Sequence, residues 1–154
     1  MSSRSHRNTP WFRWTLLMLG LCLGIPAQAD VLKREKDLRP FADTVMKAVG
    51  QGDLNAAYAA IAEVSVLPAD EIDRGRQAST VQRNQAFIVR YGKTQGHEFL
   101  AQKKLGSALV YLVYLERAER HPLIWHFYFY QSPQGWVLSS FGWDDQVGNA
   151  FLMQ

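Results

Sequence analysis

An α+β architecture follows from two regularities and from the order in which they occur. Between residues 31 and 92 apolar side chains recur three and four positions apart, as on a helix that buries one face. From 96 to 143 the pattern changes to alternation and to continuous apolar runs, broken by turn residues. Helices gathered at one end of a chain and strands at the other argue against the alternating order of a parallel α/β sheet. The expected arrangement is N-terminal helices packed on a curved four-stranded antiparallel meander.

The first helix is expected over residues 39–49. Pro40 suits a first helical turn, where its missing N–H costs nothing. Phe41, Val45, Ala48 and Val49 share one face, and Gly50 and Gly52 end the helix. Asp53 then caps a second helix that carries Leu54, Ala57, Tyr58 and Ile61 as a single stripe. Residues 64–67 form an apolar connector. A third helix opens at Pro68, with Asp70 and Glu71 in the first turn, where the helix dipole favours negative charge. It extends to Tyr91, with Gly92 as its C-cap. Val81, Ile88 and Tyr91 supply its later buried face. Gly75, about 1 kcal/mol worse than alanine inside a helix, marks the place where it can break.

Four strands are expected, at 98–105, 108–117, 123–131 and 136–143. The second (ALVYLVYL) is apolar on both faces and reads as central. Residues 118–122 and 132–135 make turns. Alternation divides the third strand into a face of Leu123, Trp125, Phe127 and Phe129 and a face of Ile124, His126, Tyr128 and Tyr130. Trp125, on the wholly apolar face, is expected to be buried. With short hairpins, Tyr111, Val113, Val137, Ser139, Phe141 and Trp143 join the His126 face, although a one-residue slip exchanges a strand's faces. Asp144 and Asp145 cap a short C-terminal helix bearing Phe151 and Leu152.

Ahead of these elements stands a segment with the composition of an export signal. Arg4, Arg7 and Arg13 precede a 12-residue apolar run, Trp14 to Ile25, and then Ala27-Gln28-Ala29 in a small-x-small pattern. The run is shorter than the ~20 residues a membrane span needs. Residues 1–29 are therefore expected to be a signal peptide cleaved after Ala29. Residues 30–154 are expected to be a single α+β domain in the periplasm, without stable membrane insertion. Leu21 precedes Cys22 where a lipid acceptor normally follows a small residue, so a lipid-free start at Asp30 is expected. Removing the signal also removes the only cysteine, and with it disulfide and thiolate chemistry. The whole-chain charge of +3 loses its meaning as well. Three of the 17 basic residues lie in the signal, leaving 14 against 14 acidic residues. Nucleic-acid binding needs a clustered basic footprint, and none is present in the mature segment.

The segment Tyr91-Gly92-Lys93…Gly96-His97-Glu98…Gly106-Ser107…Tyr114…Pro122-Leu123-Ile124-Trp125-His126-Phe127-Tyr128-Phe129-Tyr130…Gly135-Trp136 resembles small exported bacterial proteins of the nuclear transport factor two-like (cystatin-like) α+β roll. The resemblance covers most of the mature chain and rests on pattern, not on a chemical signature. It implies helices closed over the sheet around a conical pocket. Some proteins of that superfamily are isomerases or dehydratases, many bind ligands, and others only pair with partners, so the fold implies no single activity.

No catalytic signature stands out. HExxH is absent, since Ala101 stands three residues after Glu98, and GxSxG, GxGxxG and a phosphate loop are absent too. No metal site and no cofactor are expected. Asp70, Glu71 and Asp73, and the pair Asp144-Asp145, fit helix starts better than calcium or acid–base sites. His126 is the one candidate for catalysis, because imidazole titrates near neutrality; a packed histidine with one hydrogen bond is the ordinary alternative. Tyr111, His126, Tyr128 and Trp143 are the candidate ligand-binding residues, since small-molecule pockets are mostly aromatic with a few polar tips. Aromatic residues also simply pack sheets.

The leading expectation is an exported non-catalytic binding or accessory protein. It would hold an apolar or aromatic small molecule in the roll, or an envelope protein on its sheet. The alternative is a proton-transferring isomerase or dehydratase with His126 as base and a tyrosine as donor. A third reading is a structural homodimer joined through the aromatic sheet face. Which face the helices cover discriminates among them.

Overall fold

The computed structural model describes residues 32–151, so the expected signal segment, its cleavage site and Leu152 lie outside the described residues. The helical half follows the apolar stripes. A short 3-10 turn at Glu35–Asp37 leads into α1 (Leu38–Gly50), which buries Leu38, Ala42, Val45, Met46 and Val49. Asp53 caps α2 (Leu54–Val64) by accepting the Ala56 N–H at 3.0 Å. Leu54, Ala57, Tyr58, Ile61 and Val64 form the buried face of α2. Among the described residues, no helix is long and apolar enough to cross a membrane.

The third helix departs from expectation. α3 (Ala69–Gln82) runs through Gly75 without a break, and a π-helical turn at Arg83–Phe87 joins it to α4 (Ile88–Tyr91). Val81 and Ile88, expected inside, are 51% and 44% exposed. The inward positions are Ile72, Ser79, Arg83, Phe87 and Tyr91. From Ser79 onward these recur every four residues. Four residues overshoot an α-helical turn by about 40°, so such a row winds off the sheet. The wider π turn offsets part of that drift and keeps the row facing inward.

The strands are β1 (Thr94–Leu105), β2 (Leu109–Ala118), β3 (Pro122–Ser132) and β4 (Gly135–Asp144), paired antiparallel in the order β1-β2-β3-β4. The fold is thus the expected α+β arrangement, with helices on one face of an antiparallel meander. α1 lies against β1 and β2, and α2 reaches β4. Ser65, after α2, bridges to Leu138, and Leu32 bridges to Trp136. The helices cover the face of Leu123, Trp125, Phe127 and Phe129, all of them fully buried with Leu112 and Tyr114. His126 therefore points to the opposite, outer face.

The faces of β2 and β3 are as alternation predicts: Tyr111 pairs with Tyr128, and Val113 with His126. The assignment fails in β4. A bulge opposite Tyr128 and Phe129 leaves Ser139 without a Cα partner, so Ser140 pairs with Tyr128 and Leu138 with Phe129. Phe141 and Trp143 consequently pair with Phe127 and Trp125, on the helix side. One extra residue reverses the parity of everything beyond it. A five-residue helix, α5 (Val147–Phe151), returns over part of the outer face near Val113, Leu115 and Ile124.

Candidate functional site

Register places the outer face in rows across the sheet. Leu105, Leu109, Tyr130 and Val137 form one row, Lys103, Tyr111, Tyr128 and Ser140 the next, and Ala101, Val113, His126 and Gly142 a third. Leu105, Leu109, Tyr128 and Tyr130 are exposed, with Leu105 at 75%. The rings of Tyr111 and Tyr128 stack with centroids 4.5 Å apart. Each ring thus shields one face of the other.

Three of the four candidate binding residues come together here. Tyr111 Oη lies 2.6 Å from His126 Nδ1, and His126 Nε2 lies 2.8 Å from Asp144 Oδ2. A carboxylate only accepts, so Nε2–H donates to Asp144, and in neutral imidazole Nδ1 then accepts the Tyr111 O–H. This tautomer is assigned from the hydrogen-bond network. Asp144 is the orienting neighbour that sequence reasoning did not name. It is the last residue of β4, and only the antiparallel register brings it beside His126. Burial, and then a hydrogen bond with Tyr128, push the Tyr111 phenol above its ordinary pKa.

Trp143, the fourth candidate, is not part of this group. It stands on the helix side, 6.2 Å from the Phe87 ring and 6.3 Å from the Trp125 ring between centroids. Its indole N–H reaches Ser79 Oγ at 3.4 Å. The four residues therefore do not line one cavity, and the β4 bulge is the reason.

The helix side holds a polar cluster absent from the sequence-based candidates. Glu116 is 0% exposed. It accepts from both terminal nitrogens of Arg83, with Arg83 Nη1 to Oε2 at 3.0 Å, from the Thr94 hydroxyl, and from the Trp125 indole N–H at 2.8 Å. Arg83 Nη2 also donates to Thr94 Oγ1 at 3.0 Å, and the guanidinium carbon sits 4.4 Å from the Phe87 ring centroid. A signal for this cluster existed. Glu116 shares the parity of Leu112 and Tyr114 in a strand that is apolar on both faces, so it had to be buried with a cation. The cation came from the π turn, which the sequence does not announce.

Asp70, Asp73 and Asp145 are paired on the surface. Asp70 meets Arg74 at 3.0 Å, and Asp73 meets Arg76 at 2.5 Å. Asp145 accepts the Tyr91 hydroxyl at 2.5 Å, which holds its carboxyl below the usual range. His121 stacks on Tyr91. Among the described residues no group of three or more histidine, cysteine or acidic side chains is placed to hold a metal ion. No protein family, curated protein or solved structure matches the chain.

Proposed function

We propose that this chain is a non-catalytic binding protein of the cell envelope that engages a protein partner on the outer face of its sheet. The observation that carries this reading is the distribution of cover. The helices and the aromatic core occupy one face, whereas α5 shields only part of the other and leaves Leu105, Leu109, Tyr128 and Tyr130 open to water. Contiguous apolar and tyrosine surface of this kind is characteristic of protein interfaces. Exposed Tyr128 and Tyr130 favour a partner that packs against tyrosine rings.

The isomerase or dehydratase reading has less support. A general base needs a lone pair directed at substrate, and both nitrogens of His126 are engaged within the protein. Tyr111 does not substitute for it, because its raised pKa opposes the phenolate. The hydrogen-bonded Tyr111–His126–Asp144 chain acts as a clamp that fixes the outer surface.

Site-specific photocrosslinking in the host envelope tests the proposal. A crosslinker at Tyr130 is expected to give a discrete protein adduct that Leu109→Asp abolishes, while one at exposed Val89 on α4 gives none. Identical adducts from both positions, or no adduct at Tyr130, would overturn it.

A further inference from the structure

On the helix side, away from the outer face, the α1–α2 turn, α3, the π turn and the start of β1 enclose a cleft of about 510 Å³. That lies within the range of small-molecule sites. Leu54, Phe87 and Ile88 supply apolar wall, and Arg83, Asn84 and Lys93 supply polar groups. Arg83 is the unusual member. It is only 6% exposed, and its terminal nitrogens are committed to Glu116 and Thr94. Its Nε–H has no hydrogen-bond partner among the described residues. Among the described residues, no side-chain nitrogen or oxygen that is shut off from water lacks a partner. Nε is therefore not fully shut off from water, and Arg83 lines this cleft.

We infer that this cleft binds a small organic carboxylate with a short apolar body. The carboxylate accepts from Arg83 Nε–H, a donor already held in position by Glu116, Thr94 and the Phe87 ring, so little ordering is needed on binding. Glu116 offsets the guanidinium charge, and Lys93 at the rim supplies a second cationic donor, which favours a carboxylate over a neutral acceptor. The apolar body rests on Leu54, Phe87 and Ile88, which separates this ligand from an inorganic anion. Asp53, also at the rim, directs Oδ1 to the Ala56 N–H, and its charge offsets that of Lys93, so the carboxylate is held by the two donors and not by a net positive field. This inference does not depend on the outer-face proposal.

Benzoate, benzamide and inorganic phosphate are the probes, followed by backbone amide shifts of the mature protein in two-dimensional NMR. Benzoate is expected to shift the Asn84, Lys93 and Thr94 amides saturably, with a Kd on the order of 1 mM, as suits a fragment-sized ligand. Benzamide and phosphate are expected to leave them unmoved. Lys93→Gln is expected to weaken benzoate about 5-fold or more, and Ile88→Glu to abolish binding. Both replace exposed or half-exposed side chains, and an unchanged spectrum outside the cleft confirms that each variant is folded. The inference is overturned by any of three results: no saturable shift with benzoate, equal binding of benzamide or phosphate, or unchanged affinity in both variants.

Discussion

At the scale of single residues, two side chains on opposite faces of β3 hold separate networks. Trp125 is fully buried and donates its indole N–H to the equally buried Glu116. Trp125→Ala removes the packing and one of the carboxylate's partners, and is expected to cost about 3–5 kcal/mol. Denaturant melts check this, and a loss below about 1 kcal/mol would place the residue outside the core. Glu116→Ala is also expected to cost about 3–5 kcal/mol, because it leaves the largely buried Arg83 charge without its carboxylate. The double replacement Arg83→Met with Glu116→Leu should recover much of that loss, since two matched apolar groups carry no desolvation cost. On the outer face, His126→Ala removes the acceptor of the Tyr111 hydroxyl. An expected loss of about 1–2 kcal/mol follows, smaller than at Trp125 because water reaches this face.

At the scale of elements, two glycines respond oppositely to the same substitution. Gly75 lies inside α3, and a Cβ there meets the Tyr58 ring at an ordinary 3.6 Å. Gly75→Ala should therefore stabilise the protein by about 0.5–1 kcal/mol through helix propensity. Gly92, which ends α4, has φ +84°, and a Cβ there falls 2.7 Å from the Glu119 Cβ. Glu119 is anchored by its N–H to the Lys93 carbonyl and cannot step aside cheaply. Gly92→Ala is expected to cost more than about 2 kcal/mol, combining backbone strain with overlap. Thermal melts of the two variants, run together, should shift in opposite directions. Much of this level is readable in the sequence: the Asp53 cap, the Gly92 stop and the apolar stripes of α1 and α2 are local features with local causes. The exceptions are the π turn at Arg83–Phe87 and the β4 bulge at Ser139. Each depends on what the element packs against.

At the scale of the whole molecule, titration limits stability at both ends. The Arg34 hydrogen bond holds the Asp37 carboxyl below its ordinary range, Arg76 does the same for Asp73, and the Tyr91 hydroxyl for Asp145. A depressed folded-state pKa contributes stability above the unfolded value and loses it as pH falls through the folded one. Stability should thus decline below about pH 4. The decline should be modest and weaken further with salt, because these carboxylates face water. Burial raises the phenols of Tyr58, Tyr111 and Tyr114. A raised folded-state pKa contributes stability below the unfolded value and loses it as pH rises. A steeper alkaline limb is expected above about pH 10, with tyrosinate absorbance appearing together with loss of the fold. Tyrosinate forming well before unfolding would contradict the burial of Tyr58 and Tyr114.

The α+β order, the positions of the helices and strands, and the partition of β3 into an apolar and a mixed face are all legible in the linear chain. Period and alternation are properties of neighbours within a few residues. Which face the helices cover is not local, because both faces of β3 are rich in aromatic residues and either can close a core. The separation of Trp143 from His126 turns on one bulged residue. The meeting of Arg83 with Glu116, and of Tyr111 with His126 and Asp144, joins positions 33, 15 and 18 residues apart. Those contacts exist only once the strands have paired and the helices have chosen their side. The clamp on the outer face and the donor in the cleft therefore belong to the packed molecule.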